Sequence, residues 1–195
     1  MHQPGSTATP APHARLLRRL HMALMPDYNR AATTYWWLMV ALGAAALGGA
    51  LWQVAAMPRE VIGQIAVGTV FAIVAGFFPV RIPGSKNSFV AGEIFIFLLL
   101  LMHGTPAGMI AAAGEGFIGS LRSSTRWTSR ICSPTMAALA LCLAGELLQW
   151  ALTLRIGGQP LAPALVLMVA FTVAVVYFML NTVFVSTVIM LKTGQ

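Results

Sequence analysis

Apolar residues in this chain fall into long runs, each closed by a short polar or Pro/Gly-containing break. A helix needs about 20 consecutive apolar residues to cross the hydrocarbon core of a bilayer. The breaks leave six such stretches, at 34–56, 61–80, 88–103, 106–121, 131–154 and 163–191. The third and fourth are short for spans and fit tilted helices, or helices capped by neighbouring segments. Pro106 opens the fourth stretch, and Pro160 and Pro163 suit the entrance to the sixth. Phe77-Phe78-Pro79-Val80, followed by Ile82-Pro83-Gly84, predicts that the second ends in a tight turn. The pattern therefore predicts an all-α polytopic membrane bundle of about six transmembrane helices. It occupies 34–192, after a cytoplasmic lead-in at 1–33 and before a cytoplasmic end at 193–195.

Composition strengthens this reading. Of 195 residues, 58% are hydrophobic and only 9% charged, against about 25% charged in soluble domains. Too little polar surface is present to cover a water-soluble core. The formal charge of +7 raises the question of nucleic acid, but the cations sit between apolar runs instead of along one face. With the N-terminus inside, Arg15, Arg18, Arg19, Arg30, Arg81, Lys86, Arg122, Arg126, Arg130 and Lys192 fall on the cytoplasmic side. Only Arg59 and Arg155 fall outside. This positive-inside bias predicts cytoplasmic termini in a bacterial inner membrane. Tyr35, Trp36, Trp37 and Trp127 mark inner ends of the spans, and Trp52 and Trp150 outer ones. The lead-in carries a basic amphipathic patch at Arg15–Leu20, read either as a topology signal or as a helix on the anionic inner leaflet. Its length, and the full span after it, argue against a cleaved signal peptide. Cys132 and Cys142, ten residues apart in one run, imply no disulfide framework.

The candidate chemistry is concentrated in the acids. Three of the five acidic residues, Glu93, Glu115 and Glu146, lie within predicted spans. A charge at mid-bilayer costs roughly 3 kcal/mol on insertion scales, so each needs a partner, water or a proton. Glu93 and Glu115 stand on consecutive antiparallel helices, each about six residues, or roughly 9 Å, from the inner end. Arg122 follows Glu115 by seven residues on the same face and can reach back toward it. These acids either pair with Arg81, Arg122 or Arg126 to hold the bundle together, or form a switch sensitive to protonation or ligand. Glu146 lies in an outer half, in a polar stripe with Cys142, Gln149 and Thr153. With Gln53 and Gln64 it lines either an outward-facing pocket for a small polar ligand or a set of interhelical hydrogen bonds. Tyr177 and Asn181 share a face of the last span, with Ser186 nearby, and suit helix–helix bonding. Gly108, Ala112, Gly116 and Ser120 form a small-residue stripe for close helix packing. The hydroxyl- and cation-rich loop 123–130 is accounted for by topology, or else grips an anion or lipid headgroup.

No phosphate-binding Gly loop and no paired Cys or His metal spacing is present. His2, His13, His21 and His103 are scattered. No catalytic residue, metal or cofactor is therefore expected, and the chain does not read as an enzyme.

Three segments together carry a resemblance. They are Phe78-Pro79-Val80-Arg81-Ile82-Pro83-Gly84, Gly92-Glu93-Ile94-Phe95-Ile96-Phe97-Leu98, and Glu115-Gly116-Phe117-Ile118-Gly119-Ser120-Leu121-Arg122 running into Arg126-Trp127-Thr128-Ser129-Arg130. The set resembles the N-terminal membrane region of bacterial signalling proteins that carry cytoplasmic GGDEF or HD-GYP output domains, which make or degrade cyclic-di-GMP. The six-helix plan is also similar to substrate-binding S components of energy-coupling-factor vitamin transporters. The resemblance covers roughly residues 75–190. It implies a sensory or transducing membrane module, and Glu93 and Glu115 match acidic positions of the pattern. Such proteins continue into further helices and an output domain, whereas this chain stops at Gln195. It is then either a fragment or works through a separate partner. The expected partners are the lipid bilayer, a C-terminal or separate output domain, a small polar ligand and a second copy of the chain, and not nucleic acid. The alternative function is an S-component-like subunit for small-solute uptake.

Overall fold

The computed structural model describes residues 28–78, 80–81, 88–89, 92–153 and 162–193. The basic patch at 15–20, Lys86 and Arg155 lie outside them, as does the side chain of Arg81. The described residues form six helices: α1 (Arg30–Ala55), α2 (Arg59–Gly76), α3 (Gly92–His103), α4 (Thr105–Ser123), α5 (Trp127–Thr153) and α6 (Pro163–Thr193). α1, α2, α5 and α6 are long and apolar enough to cross a membrane. Large apolar side chains such as Leu51, Phe71, Trp150, Leu167 and Phe171 stand exposed over the outside of the bundle. A soluble monomer rarely shows a continuous apolar coat of this kind. The described residues are those of a predominantly helical membrane protein.

The connection between the second and third helices differs from expectation. α2 stops at Gly76 and α3 begins at Gly92. Val80–Arg81 (β1) and Ser88–Phe89 (β2) pair between them as an antiparallel ladder, Val80 opposite Phe89 and Arg81 opposite Ser88. Pro79 and Pro83 lack the backbone donor that helix requires, and each biases the residue before it toward extended backbone. Glu93 therefore stands in the first turn of α3, not a turn and a half inside it. At 12 residues, α3 measures about 18 Å, well short of a hydrocarbon core of about 30 Å.

α3 turns into α4 through a single residue, Gly104, whose φ of 84° is open to glycine at little cost. α4 then runs through the middle of the bundle, against α1, α2, α3 and α5, while α5 also packs on α1 and α6. α4 is built for this place from small residues. Ala111 and Ala112 are fully buried, and a Cβ on Gly108 would stand 2.8 Å from Leu141 Cδ2. A Cβ on Gly116 would meet Ala137 Cβ at 3.2 Å and Pro134 Cα at 3.3 Å. The small-residue stripe thus lies along α5, with Ser120, also buried, at its end. α1 approaches α5 more closely still, Gly43 resting on the backbone of Thr135. α6 is the peripheral helix, with Val173 and Tyr177 its buried residues.

One end of the bundle gathers Arg30, Arg122, Arg126, Arg130 and Lys192 and is called the basic end below; Arg59 and Glu60 lie at the opposite end. Hydrogen bonds tie the helices together at the basic end. Asn29 accepts from the backbone N–H of Ala32 through Oδ1 at 2.7 Å, and its Nδ2 donates to the carbonyl of Leu191 at 2.6 Å. Trp36 Nε1 donates to the carbonyl of Thr128 at 3.1 Å, binding α1 to α5.

Candidate functional site: an acidic cavity in the basic half

In the half of the bundle nearer the basic end, α2 to α6 line an open cavity of about 230 Å³. Its polar lining is Glu93 from α3, Glu115 and Arg122 from α4, and Tyr177 and Asn181 from α6. The rest is small: Gly76, Gly116, Gly119, Ser133 and Ala137, with Val185. Glu93, Glu115, Arg122, Tyr177 and Asn181, read in the sequence as polar groups inside the membrane, thus line one space. For Arg81, one of the arginines expected to pair with the acids, only the backbone position in β1 is described.

The local sequence explains how five helices leave room here. Small residues on α4 and α5 draw those helices together, and Gly76 and Gly92 let α2 and α3 close around the Glu115 side chain. A Cβ on Gly92 would stand 2.5 Å from Glu115 Oε1 and 2.7 Å from the carbonyl oxygen of Ala72. A Cβ on Gly76 would touch Glu115 Cγ at 3.4 Å. These two glycines were not read as site residues, because nothing in their spacing marks a contact between different helices.

The expected pairing of Arg122 with Glu115 is replaced by another bond. Arg122 Nη1 donates to the carbonyl of Gly76 at 2.6 Å, where α2 ends and its last carbonyls lack intrahelical donors. Among the described residues neither Glu93 nor Glu115 forms an ion pair with an arginine. Glu115 Oε1 is buried and has no hydrogen-bond partner there. An unmatched buried carboxylate oxygen is costly and is a ready acceptor for an incoming donor. Tyr177, expected to bond helix to helix with Asn181, instead packs edge-on against Phe97 at 5.7 Å between ring centroids and walls the cavity. Ser186 is exposed on α6.

Gln53, Gln64, Glu146 and Gln149 are all exposed. Gln64 lines a cavity of about 650 Å³ between α2 and α3, with Glu60 and His103 and a mainly apolar wall including Phe71 and Phe95. Gln53, Glu146 and Gln149 do not line it. Gln149 Nε2 lies 3.9 Å from where a Cβ on Gly104 would stand, at the turn from α3 to α4.

Among the described residues no group of His, Cys, Asp and Glu is arranged to hold a metal ion. Comparison of the chain with models of protein families, with curated proteins and with solved structures finds no match in any of the three.

Proposed function

We propose that the chain is a sensory and signal-transducing module of a bacterial inner membrane, crossing it six times with both ends in the cytoplasm. The basic end is then the cytoplasmic end, as the positive-inside rule requires. The acidic cavity accepts a small molecule carrying a cationic or hydrogen-bond-donating group, and α6 passes the resulting shift to a cytoplasmic output domain, in the same protein or a separate one. The observation that carries this reading is the convergence of Glu93, Glu115, Arg122, Tyr177 and Asn181 on one space, with an unmatched oxygen of Glu115 at its wall. Its volume is below the roughly 300–1,000 Å³ typical of sites for larger ligands, which favours a small occupant.

α6 suits the transducing role. It is the least embedded helix, yet it supplies Tyr177 and Asn181 to the cavity. Its 31 residues measure about 46 Å, longer than the hydrocarbon core, so its end at Thr193 projects into the headgroup region or beyond. A small tilt at Tyr177 is thereby delivered at the basic end.

The test is thermal unfolding of the detergent-solubilised chain against small cations, including methylguanidine and short alkylamines. Stabilisation by at least one, lost in Glu93→Gln/Glu115→Gln, supports the reading; stabilisation that survives the double substitution contradicts it. Solute uptake is the second reading, favoured by the larger cavity beside Gln64, Glu60 and His103 at the opposite end. It predicts instead a ligand whose stabilisation is lost in Gln64→Ala and kept in the double glutamate variant.

A further inference from the structure

The cavity between α2 and α3 is a groove open to the outside of the bundle, and it is lined in two chemically distinct parts at different depths. Glu60 and Gln64, one turn apart on the same face of α2, and His103, the last residue of α3, stand at the end opposite the basic end. From there Val67, Phe71, Leu98 and Met102 continue the wall inward, all four exposed on the outside of the bundle. Phe71 stacks on Phe95 at 5.6 Å between ring centroids and marks the deep end. From Glu60 to Phe71 the groove follows α2 for about 16 Å, roughly half the hydrocarbon thickness. Two glycines shape it. A Cβ on Gly68 would stand 2.8 Å from Leu99 Cδ2, so this glycine brings α2 down onto α3. A Cβ on Gly63 would meet nothing within 4 Å, so the missing side chain there leaves the trough open.

A polar end at headgroup depth and an apolar trough reaching mid-bilayer match a lipid of one leaflet. A small polar solute would use the three polar side chains and leave the apolar wall uncovered. The polar end also selects the head. The Glu60 carboxylate, the Gln64 amide oxygen and a neutral imidazole nitrogen of His103 are acceptors, and a primary ammonium carries three donors. Bonds from a cationic donor to a carboxylate are the stronger kind, which favours an ammonium over a methylated amine or an alcohol. Arg59 and the N–H groups at the start of α2, which no side chain caps, stand at the same depth and suit the lipid phosphate. We propose that the α2–α3 groove binds phosphatidylethanolamine, its ammonium at Glu60, Gln64 and His103 and one acyl chain along Phe71, Leu98 and Met102. The site stands apart from both functional readings: the lipid occupies the groove without crossing the membrane, and the acidic cavity is lined by other residues.

The test is thermal unfolding of the delipidated full chain in a neutral detergent. It is titrated with phosphatidylethanolamine, phosphatidylcholine or phosphatidylglycerol of the same acyl chains, or with phosphoethanolamine. Phosphatidylethanolamine raises the Tm by binding the folded state, and the other three bind at least about tenfold more weakly. Glu60→Gln weakens the apparent phosphatidylethanolamine affinity by about tenfold. Gly63→Leu fills the trough and abolishes the response, while the Tm of the lipid-free protein stays the same or rises. Glu60 and Gly63 are both exposed, so both variants fold. Glu93→Gln/Glu115→Gln keeps the full response. An equal response to phosphatidylcholine overturns the assignment of N–H donors, and an equal response to phosphatidylglycerol overturns the assignment of charge. An equal response to phosphoethanolamine overturns the place given to the acyl chain. Full affinity in either Glu60→Gln or Gly63→Leu overturns the placement in this groove, as does loss of the response in Glu93→Gln/Glu115→Gln.

Discussion

Arg122 Nη1 donates to the carbonyl of Gly76 at 2.6 Å, joining the last turn of α4 to the last residue of α2 at the wall of the acidic cavity. A charge-assisted bond of this kind contributes about 1.5–3 kcal/mol when shielded and less where water reaches it. Because the Arg122 side chain is largely exposed, Arg122→Ala is expected to lower unfolding stability by about 1 kcal/mol. Arg122→Lys, which keeps a donor and a charge, recovers part of that loss. Chemical unfolding in detergent checks both, and equal stability of Arg122→Ala and the parent protein would show that the bond contributes nothing.

Gly92 is the tightest point around Glu115. Gly92→Ala brings a methyl to 2.5 Å from Glu115 Oε1 and 2.7 Å from the Ala72 carbonyl, so α2 and α3 must part. The expected cost is about 1–3 kcal/mol. Adding Glu115→Ala to Gly92→Ala relieves only the side-chain half of the clash, because the Ala72 backbone cannot give way in the same manner. The double variant thus recovers part of the loss and no more. Gly48→Ala is the control: a Cβ there meets nothing within 4 Å, and the gain in helix propensity makes the change neutral or mildly stabilising.

Trp36 reports on the seam between α1 and α5. It is 4% exposed, and its Nε1 bonds the Thr128 carbonyl at the entrance to α5. Trp36→Phe keeps most of the apolar contact and removes the donor. The expected loss is about 1 kcal/mol, read as a lower unfolding midpoint with native helix content retained. Unchanged stability would mean that the Thr128 carbonyl is satisfied without it.

Glu146 and Gln149 are exposed on α5 and do not line the acidic cavity. Glu146→Ala/Gln149→Ala is therefore expected to change stability by no more than about 0.5 kcal/mol. It should also leave binding at the acidic cavity intact. Loss of that binding in the double variant would place the ligand elsewhere.

How far the sequence reveals this arrangement depends on what each feature obeys. Helix number and approximate limits follow from apolar run length, which is local. The grouping of Glu93 and Glu115 follows from their matching positions on consecutive antiparallel helices, and the addition of Arg122 from helical spacing alone. The β1–β2 ladder was missed because Val80, Phe89 and their neighbours are as apolar as a helix end, although Pro79 and Pro83 carried the signal. The partner of Arg122 was missed because a free carbonyl at the end of α2 has no mark in the sequence. Tyr177 and Asn181 belong to the cavity through the packing of α6 on α5, which their own periodicity does not specify.

The account turns on whether filling the acidic cavity moves α6. The most direct measurement is the spin-label distance between Thr193→Cys on α6 and Ser123→Cys on α4, with Cys132 and Cys142 replaced by Ala. It is recorded with and without the small cation that gives the largest thermal stabilisation. The account predicts a shift in the distance distribution on the order of 1–2 Å or more, abolished in Glu93→Gln/Glu115→Gln. A cation that stabilises the protein through those glutamates and leaves the distribution unchanged would contradict it.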